Sequence, residues 1–556
     1  MTAVASARHP AGSRRAADPV VLLRQTRHEL VALRRTPITL ILSIGLPLLF
    51  FMLLSALVGN EVVDESQGLR LVQYLAPGMA AFGVVMATFS FLAVGLAQAR
   101  STGVVKRQAG SPVPRWVLIG GRVAAALLLG LVSTGLVLGA GVAFYDLQVP
   151  GRSILAILVT LVLASACFSA LGLALAMALP SMQLTTAVSN GIVIPLAFIS
   201  DMFMVGGQMP DWLSSIGWLF PLKHLTAVFA DALNPYLSGP GFELDHLAVL
   251  ALWGLAGAAV ATVQLRRDRD RDASRPPDGR SSSARARHRA ADCAPRRTSS
   301  PSVLSLLAGQ VGHGQRILWR DASAVFFAVA FPVLLVGIIP AVNGGGDQLM
   351  ESGLTVGVFY AGVMAIYGAA VTAFVNMPVG VAEARDSGIL KRTGGTPLPA
   401  GALVVGRVVS ALAVALLTGA VILALAAVLY RPAVPHGLPA AVLVLALSAV
   451  CFAVLGLASM TFVHSATALT GVALGILLPL AFVSDVFIVG AAFPAVLEAV
   501  SWFFPLRHAS AAMSAALVPG SSGAGLAADH LAVLLLWTLA GALVVARRFS
   551  WESTSG

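Results

Sequence analysis

Arg100, Lys106 and Arg107 stand in Ala99-Arg100-Ser101-Thr102-Gly103-Val104-Val105-Lys106-Arg107, and the pattern returns as Ala384-Arg385-Asp386-Ser387-Gly388-Ile389-Leu390-Lys391-Arg392. Each copy then runs into a helix-breaking stretch, Gly110-Ser111-Pro112-Val113-Pro114 and Gly395-Thr396-Pro397-Leu398-Pro399. Such residues make no covalent chemistry. A short basic helix closed by proline can instead fit the groove of a partner and pass rigid-body motion into the apolar segments beside it. A solvated basic loop is the competing reading, but it needs charge and no particular sequence. Recurrence of Ala-Arg-x-x-Gly-x-x-Lys-Arg is more than that requires, although recent duplication alone would also preserve it.

Other chemistry is missing from the chain. None of the three lysines, Lys106, Lys223 and Lys391, follows a glycine, so no Gly-x-x-x-x-Gly-Lys-Ser/Thr loop can cradle a phosphate. No His/Cys group has metal-ligand spacing, and no resident cofactor or metal is expected. Ion-coupled transport needs ionisable groups at membrane depth, yet the Asp and Glu residues fall in tails, loops or near the ends of apolar runs. Asp146, Asp201, Asp485 and Asp529 lie nearest the membrane, each close to an outer boundary. This disfavours a secondary transporter and leaves the energy to come from a separate ATPase.

The elements around these residues are apolar runs. Of 556 residues, 57% are hydrophobic and 11% charged, against about 45–50% and 25% in soluble domains. About 20 apolar residues cross a bilayer, and twelve spans are expected: 38–58, 73–97, 116–144, 153–179, 185–206 and 245–265, then 323–342, 354–381, 401–429, 438–463, 466–490 and 529–547. The net charge of +11 does not indicate nucleic acid, because the basic residues cluster at the ends of apolar runs. Arg24, Arg27, Arg34 and Arg35 precede the first run, and Arg100, Lys106, Arg107, Arg115 and Arg122 follow the second, which places both sites, and both termini, in the cytoplasm. No cleavable signal peptide is evident in the polar, Arg-rich stretch from Met1 to Thr36.

The matches extend along the chain. Phe220-Pro221-Leu222-Lys223-His224 answers to Phe504-Pro505-Leu506-Arg507-His508, and Asp245-His246-Leu247 to Asp529-His530-Leu531. The offset is 385 − 100 = 285 early and 508 − 224 = 284 later. The expected fold is an all-α polytopic membrane protein with tandem six-helix domains, 1–265 and 303–556, running parallel as a pseudo-two-fold repeat. Residues 266–302, rich in Arg, Ser and Pro, read as a disordered cytoplasmic tether. Cys167 and Cys451 fall in apolar runs and Cys293 in the tether, so no disulfide framework is expected. Leu23, Leu30 and Leu33, and later Leu304, Leu307 and Val311, could each line one face of a helix lying in the inner interface; a frayed basic tail is the equal alternative.

The basic loop after the second span, with its glycine, basic pair and prolines, resembles that of permeases of type-2 ATP-binding-cassette exporters, including the daunorubicin-resistance type. The likeness extends from Pro195-Leu196-Ala197-Phe198-Ile199-Ser200 through Pro210-Asp211-Trp212-Leu213 to Pro221-Leu222, and from Pro479 through Phe493-Pro494 to Phe504-Pro505-Leu506. The resemblance implies a multi-pass plasma-membrane subunit that pairs with a cytoplasmic ATPase, in two copies, which carries the ATP-Mg. It makes the loop a coupling helix, carried by Arg100, Gly103, Lys106 and Arg107 and by Glu383, Arg385, Gly388, Lys391 and Arg392. The family often has an acid before the second basic residue, where this chain has Lys106 and Lys391. Its cargo is a hydrophobic or amphipathic drug or antibiotic; a lipid or cell-envelope polymer is the alternative.

Four further sets are candidates. Ser200-Asp201 and Ser484-Asp485 stand where the family tends to have Ser-Gly, so the aspartates would form an outer gate, or merely cap a helix or face water. Pro195 and Pro479 are expected to kink spans five and eleven, as Pro47 and Pro332 would spans one and seven. Phe89, Phe91, Phe198, Phe374 and Phe482 are candidates for an apolar substrate path, with plain packing as the alternative. The glycines of spans three and nine read as close-packing positions.

Overall fold

The computed structural model describes residues 18–34, 40–58, 60, 62–64, 68–110, 113–202, 209–273, 302–342, 346–350, 352–396, 398–430, 437–487, 494–518 and 526–548. The described residues of Met1–Met52, Val72–Thr185 and Phe220–Ala258 form one compact unit, and those of Leu53–Leu71, Thr186–Leu219 and Ala259–Gly556 a second.

The fold is all-α, apart from a short antiparallel pair, β1 (Val62–Asp64) and β2 (Leu69–Arg70). In the first half the helices are α1 (Asp18–Arg34), α2 (Leu46–Val58), α3 (Leu71–Val85), α4 (Leu92–Ser101), α5 (Val104–Ala109), α6 (Arg115–Tyr145), α7 (Ile154–Ala178), α8 (Met182–Ile199), α9 (Asp211–Gly217), α10 (Pro221–Leu233) and α11 (Leu244–Ala273). The second half has α12 (Val303–Arg320), α13 (Ala322–Val325), α14 (Phe331–Val342), α15 (Val356–Ala370), α16 (Met377–Asp386), α17 (Ile389–Gly394), α18 (Ala400–Tyr430), α19 (Leu438–Met460), α20 (Ala466–Val483), α21 (Ala495–Phe503), α22 (Pro505–Leu517) and α23 (Ala528–Arg548).

Among the described residues, eleven helical stretches are long and apolar enough to cross a bilayer, and the shorter apolar stretch Ser43–Ala56 occupies the place of the first expected span. α11 continues to Ala273, so the start of the expected tether is helical; the rest of it, with Cys293, lies outside the described residues, as do Arg35, Pro112, Pro397 and Phe493. The two stretches read as amphipathic are helical, α1 and α12, and pack on α6 and α18 respectively. Several short helices went unread in the sequence, α10 and α22 among them. α10 and α22 follow Phe-Pro in each half, with proline at the helix start where its missing N–H costs nothing.

Spans two and eight are each broken by a π-helical segment, Met86–Phe91 and Val371–Asn376, so that Leu71–Ser101 and Val356–Asp386 are continuous stretches of 31 residues. Such a bulge breaks the regular ladder, and a glycine of a neighbouring helix meets it. A Cβ on Gly172 would stand 2.7 Å from the Phe89 carbonyl oxygen, and one on Gly456 would stand 2.9 Å from those of Ala373 and Phe374. Only glycine lets α7 and α19 approach so closely.

Prolines are accommodated by similar local means. Pro47 and Pro332 follow π-helical segments, Ile41–Gly45 and Phe326–Ala330. Pro47 has no N–H for the Ser43 carbonyl four residues back, and Ser133 of α6 donates to that oxygen at 3.1 Å. Pro195 and Pro479 fall inside α8 and α20, which continue through them.

Within the second unit, α8 of the first half packs on elements of the second. Gly191 faces the Phe326 ring, Phe198 and Ile194 lie against the second unit's core, and Ile199 clusters with Ile338.

Candidate functional site

The two basic segments are built alike. α4 stops at Ser101 and α16 at Asp386; Gly103 and Gly388 then take left-handed backbone with φ of 72° and 70°. Nothing stands within 4 Å of a Cβ at either glycine, so it is backbone conformation and not crowding that asks for glycine there. The chain reverses into α5 and α17, whose last turns carry Lys106-Arg107 and Lys391-Arg392, all exposed. Cations at a helix C-terminus also suit the helix dipole. Pro114 and Pro399, in extended backbone before α6 and α18, accept the first bonds of the long helices.

The arginines read as part of this surface split into two groups. Arg100 reaches back to the end of α7, where its Nη1 donates to the Ala176 carbonyl at 2.6 Å. Arg385 donates to the carbonyls of Met460, at 3.2 Å, and Val463, at 2.8 Å. These are open carbonyls of a helix's last turn, or in Val463 just beyond it, and a guanidinium satisfies them. Arg100 and Arg385 therefore brace the segment, while the exposed pairs face away from the protein. Glu383 is exposed beside them on α16.

Beyond the glycines the copies part. Asp386 accepts from the Ala466 backbone N–H at 2.8 Å, at the start of α20; Ser101, its counterpart, donates within its own helix, to the Gln98 carbonyl. In the first half, Arg122 of α6 pairs with Glu29 of α1 at 3.3 Å and donates to Gln108 of α5 at 3.4 Å.

On the opposite face, Asp201 and Asp485 have φ of 60° and 56°. Met202 N–H bonds the Ala197 carbonyl and Val486 N–H that of Ala481, the 6→1 bond of a Schellman helix end. The position requires left-handed backbone, which aspartate tolerates better than most residues. Asp485 is also engaged electrostatically. Its carboxylate lies 2.6 Å from the guanidinium of Arg507, which also stacks over Trp502 at 5.0 Å. Burial pushes its carboxyl above the usual aspartate range, and Arg507 pulls it back only in part.

Paired histidines are the feature sequence reasoning passed over, although both members lay in the repeated motifs. His224 Nδ1 is 2.9 Å from His246 Nδ1, and His508 Nδ1 is 3.0 Å from His530 Nδ1. Each pair joins α10 or α22 to the start of the last span. His508 Nε2 lies 2.8 Å from the Trp502 carbonyl, which can only accept, so Nε2 carries the hydrogen. Its Nδ1 is then the acceptor in the neutral ring, and His530 the donor. A second added proton would set N–H against N–H.

The phenylalanines are distributed. Phe89 is buried in the first π-segment and Phe374 lies against the core in the second, with Phe91 half-buried beside the first. Phe482 lies tilted against Phe487 at 4.9 Å, and the contacts of Phe487 with Tyr367, at 5.1 Å, and of Tyr367 with Phe331, at 5.9 Å, are edge-to-face. Phe198 stands on α8 at the seam with that core. No group of three or more His, Cys, Asp or Glu with metal-binding geometry occurs among the described residues.

The family model for the ABC-2 type transporter matches twice, at residues 22–233 and 314–518. The chain belongs to that family. It is 24% identical over 181 residues to the inner membrane transport permease YadH of Escherichia coli K12, an alignment covering 33% of this chain and 70% of that protein. Proteins of the same name in Escherichia coli O157:H7 and Shigella flexneri match equally. An ABC-2 permease is a transport component of the plasma membrane that works with an ATPase as part of an ABC transporter, and this chain carries two such domains.

Proposed function

We propose that the chain forms the membrane part of an ATP-driven exporter whose ATPases, supplied in trans as two copies, dock on α5 and α17. The carrying observation is the duplicated Gly-turn that presents Lys106-Arg107 and Lys391-Arg392 outward, directly before the 31-residue helices α6 and α18. Each basic helix is clamped at its base, through Arg100 or Arg385, to the end of a neighbouring span. A push on α5 or α17 is thereby shared between the second and fourth spans of that half. ATP-Mg belongs to the partner, and this chain holds no cofactor of its own.

The cargo we infer is a hydrophobic or amphipathic small molecule of the drug or antibiotic class. What supports this is the apolar character of the α8 seam, where Gly191 meets Phe326 and Phe198 packs on the core that holds Phe331 and Tyr367. Asp201 and Asp485 act as helix ends at the outer face. Drug efflux from cells carrying the chain and its ATPase, measured with vanadate and separately with a proton uncoupler, tests the reading. Vanadate should stop efflux. Efflux that survives vanadate and stops with the uncoupler overturns it.

A further inference from the structure

Arg407 is a buried cation that has lost its partner. It lies on α18 with 7% of its surface exposed, its Nε has no hydrogen-bond acceptor, and among the described residues nothing pairs with it. Its counterpart in the first half, at the 285-residue offset, is Arg122, which pairs with Glu29 and Gln108. The register is secured by packing: Gly121 lies against Gln25, and Gly406 against Gln310. By that register Glu29 becomes Gly314 and Gln108 becomes Thr393. Thr393 turns its hydroxyl to its own helix, donating to the Ile389 carbonyl. A Cβ on Gly314 would stand 3.7 Å from Arg407 Nη1, so the guanidinium still points to where the first half keeps its acid.

A buried charge without a counter-charge costs several kcal/mol, and a guanidinium matches two-oxygen anions in a planar fork. Position narrows the class of anion. Val409 to Tyr430 rises about 33 Å, which alone fills a hydrocarbon core of about 30 Å. Arg407 is therefore at the inner edge of the core, at headgroup level, under α12. Arg316 lies one turn along α12 from His313, and His313 is held below the usual histidine range by burial and by the charges of Arg407 and Arg316. Basic recesses between helices at this depth suit lipid head groups.

The geometry points to a phosphate-binding site in the second half only, in which Arg407 takes a phosphate oxygen pair, as of an anionic phospholipid, in place of the carboxylate that Glu29 supplies to Arg122. The inference is independent of ATPase docking.

The test uses the purified full chain, stripped of lipid in neutral detergent and titrated with phosphatidylglycerol, phosphatidylcholine or inorganic phosphate, with bound molecules counted by native mass spectrometry. One phosphatidylglycerol per chain should bind at least 10-fold more tightly than phosphatidylcholine. Arg407→Gln should abolish it. Gly314→Glu with Ser410→Ala, which rebuilds the Glu29–Ala125 arrangement of the first half, should abolish it too, and its unchanged melting temperature would exclude simple unfolding. Glu29→Gln should expose Arg122 and add a second bound lipid. Inorganic phosphate competing equally would support the site with a soluble phosphate as its occupant. Unchanged phosphatidylglycerol binding in Arg407→Gln, or in the folded double variant, overturns the proposal.

Discussion

The stretch from Gln98 to Arg122 and its counterpart from Glu383 to Arg407 hold the same short basic helix in different frames. In the first, the helix itself is gripped: Gln108 of α5 accepts from Arg122, which also holds Glu29 of α1. In the second, Asp386, before the glycine, holds the start of α20, while Arg385 holds the end of α19 as Arg100 holds that of α7. A shared backbone and brace thus reach different further neighbours, α1 and α6 in one half, α20 in the other. Duplication kept the surface that meets a partner and let its supports diverge.

The largest effect expected from breaking this comparison comes from the exposed pairs. Lys106→Glu with Arg107→Glu, and separately Lys391→Glu with Arg392→Glu, should each reduce co-purification of the ATPase by 10-fold or more and stop vanadate-sensitive efflux, with melting temperature unchanged. Equal losses mean equivalent docking sites. Undiminished association in both variants removes the docking assignment. Reversal at Arg100 or Arg385 is a poorer test, because it also breaks the bonds to helix ends.

Those braces are the next effect. Removing Arg385 leaves two carbonyls open and takes from the Asp386 carboxylate an ion pair at 3.6 Å, a loss of about 2–4 kcal/mol. Arg100 donates to the Ala176 carbonyl, and its loss should cost about 1–2 kcal/mol. Chemical denaturation of Arg385→Ala and Arg100→Ala in detergent gives the ranking; the reverse order would mean that the second frame is not the stiffer one.

How far these differences were legible in the sequence follows from what each depends on. Most span positions and the basic helices depend on local pattern, and the described residues have them close to where hydropathy and spacing put them, whereas the glycine turns went unread. α10 and α22 escaped because their apolar stretches are too short to read as spans, although Phe-Pro marked both starts. The brace by Arg100 escaped because its acceptor is a backbone carbonyl 76 residues away, and every residue type offers a carbonyl. The histidine pairs were visible as matches at offset 284, but only folding shows that His508 and His530 meet. Arg407 was the hardest, since its meaning lies in Gly314, a residue distinguished by what it lacks.

Gly103→Ala and Gly388→Ala should come next, and be equal. Both positions are left-handed with open space around them, so the cost is the backbone term alone, about 1–2 kcal/mol. Thermal melting of the two variants should shift alike. A shift confined to one would show that the frames, and not the turn, set the strain.

The smallest effect is a dependence on pH confined to the second half. His313 takes its proton less readily in the folded chain than an ordinary histidine, through burial first and then the charges of Arg407 and Arg316. Between its depressed value and about 6.5 the unfolded chain binds more protons, so folding stability rises with pH across that window. The contribution is complete above about 6.5 and is lost as pH falls toward the folded value. His313→Gln should flatten the slope of melting temperature against pH there. Supplying a carboxylate with Gly314→Glu and Ser410→Ala should also reduce it, by offsetting Arg407. A slope untouched by both variants would place its origin elsewhere, with the histidine pairs of the outer face the next groups to substitute.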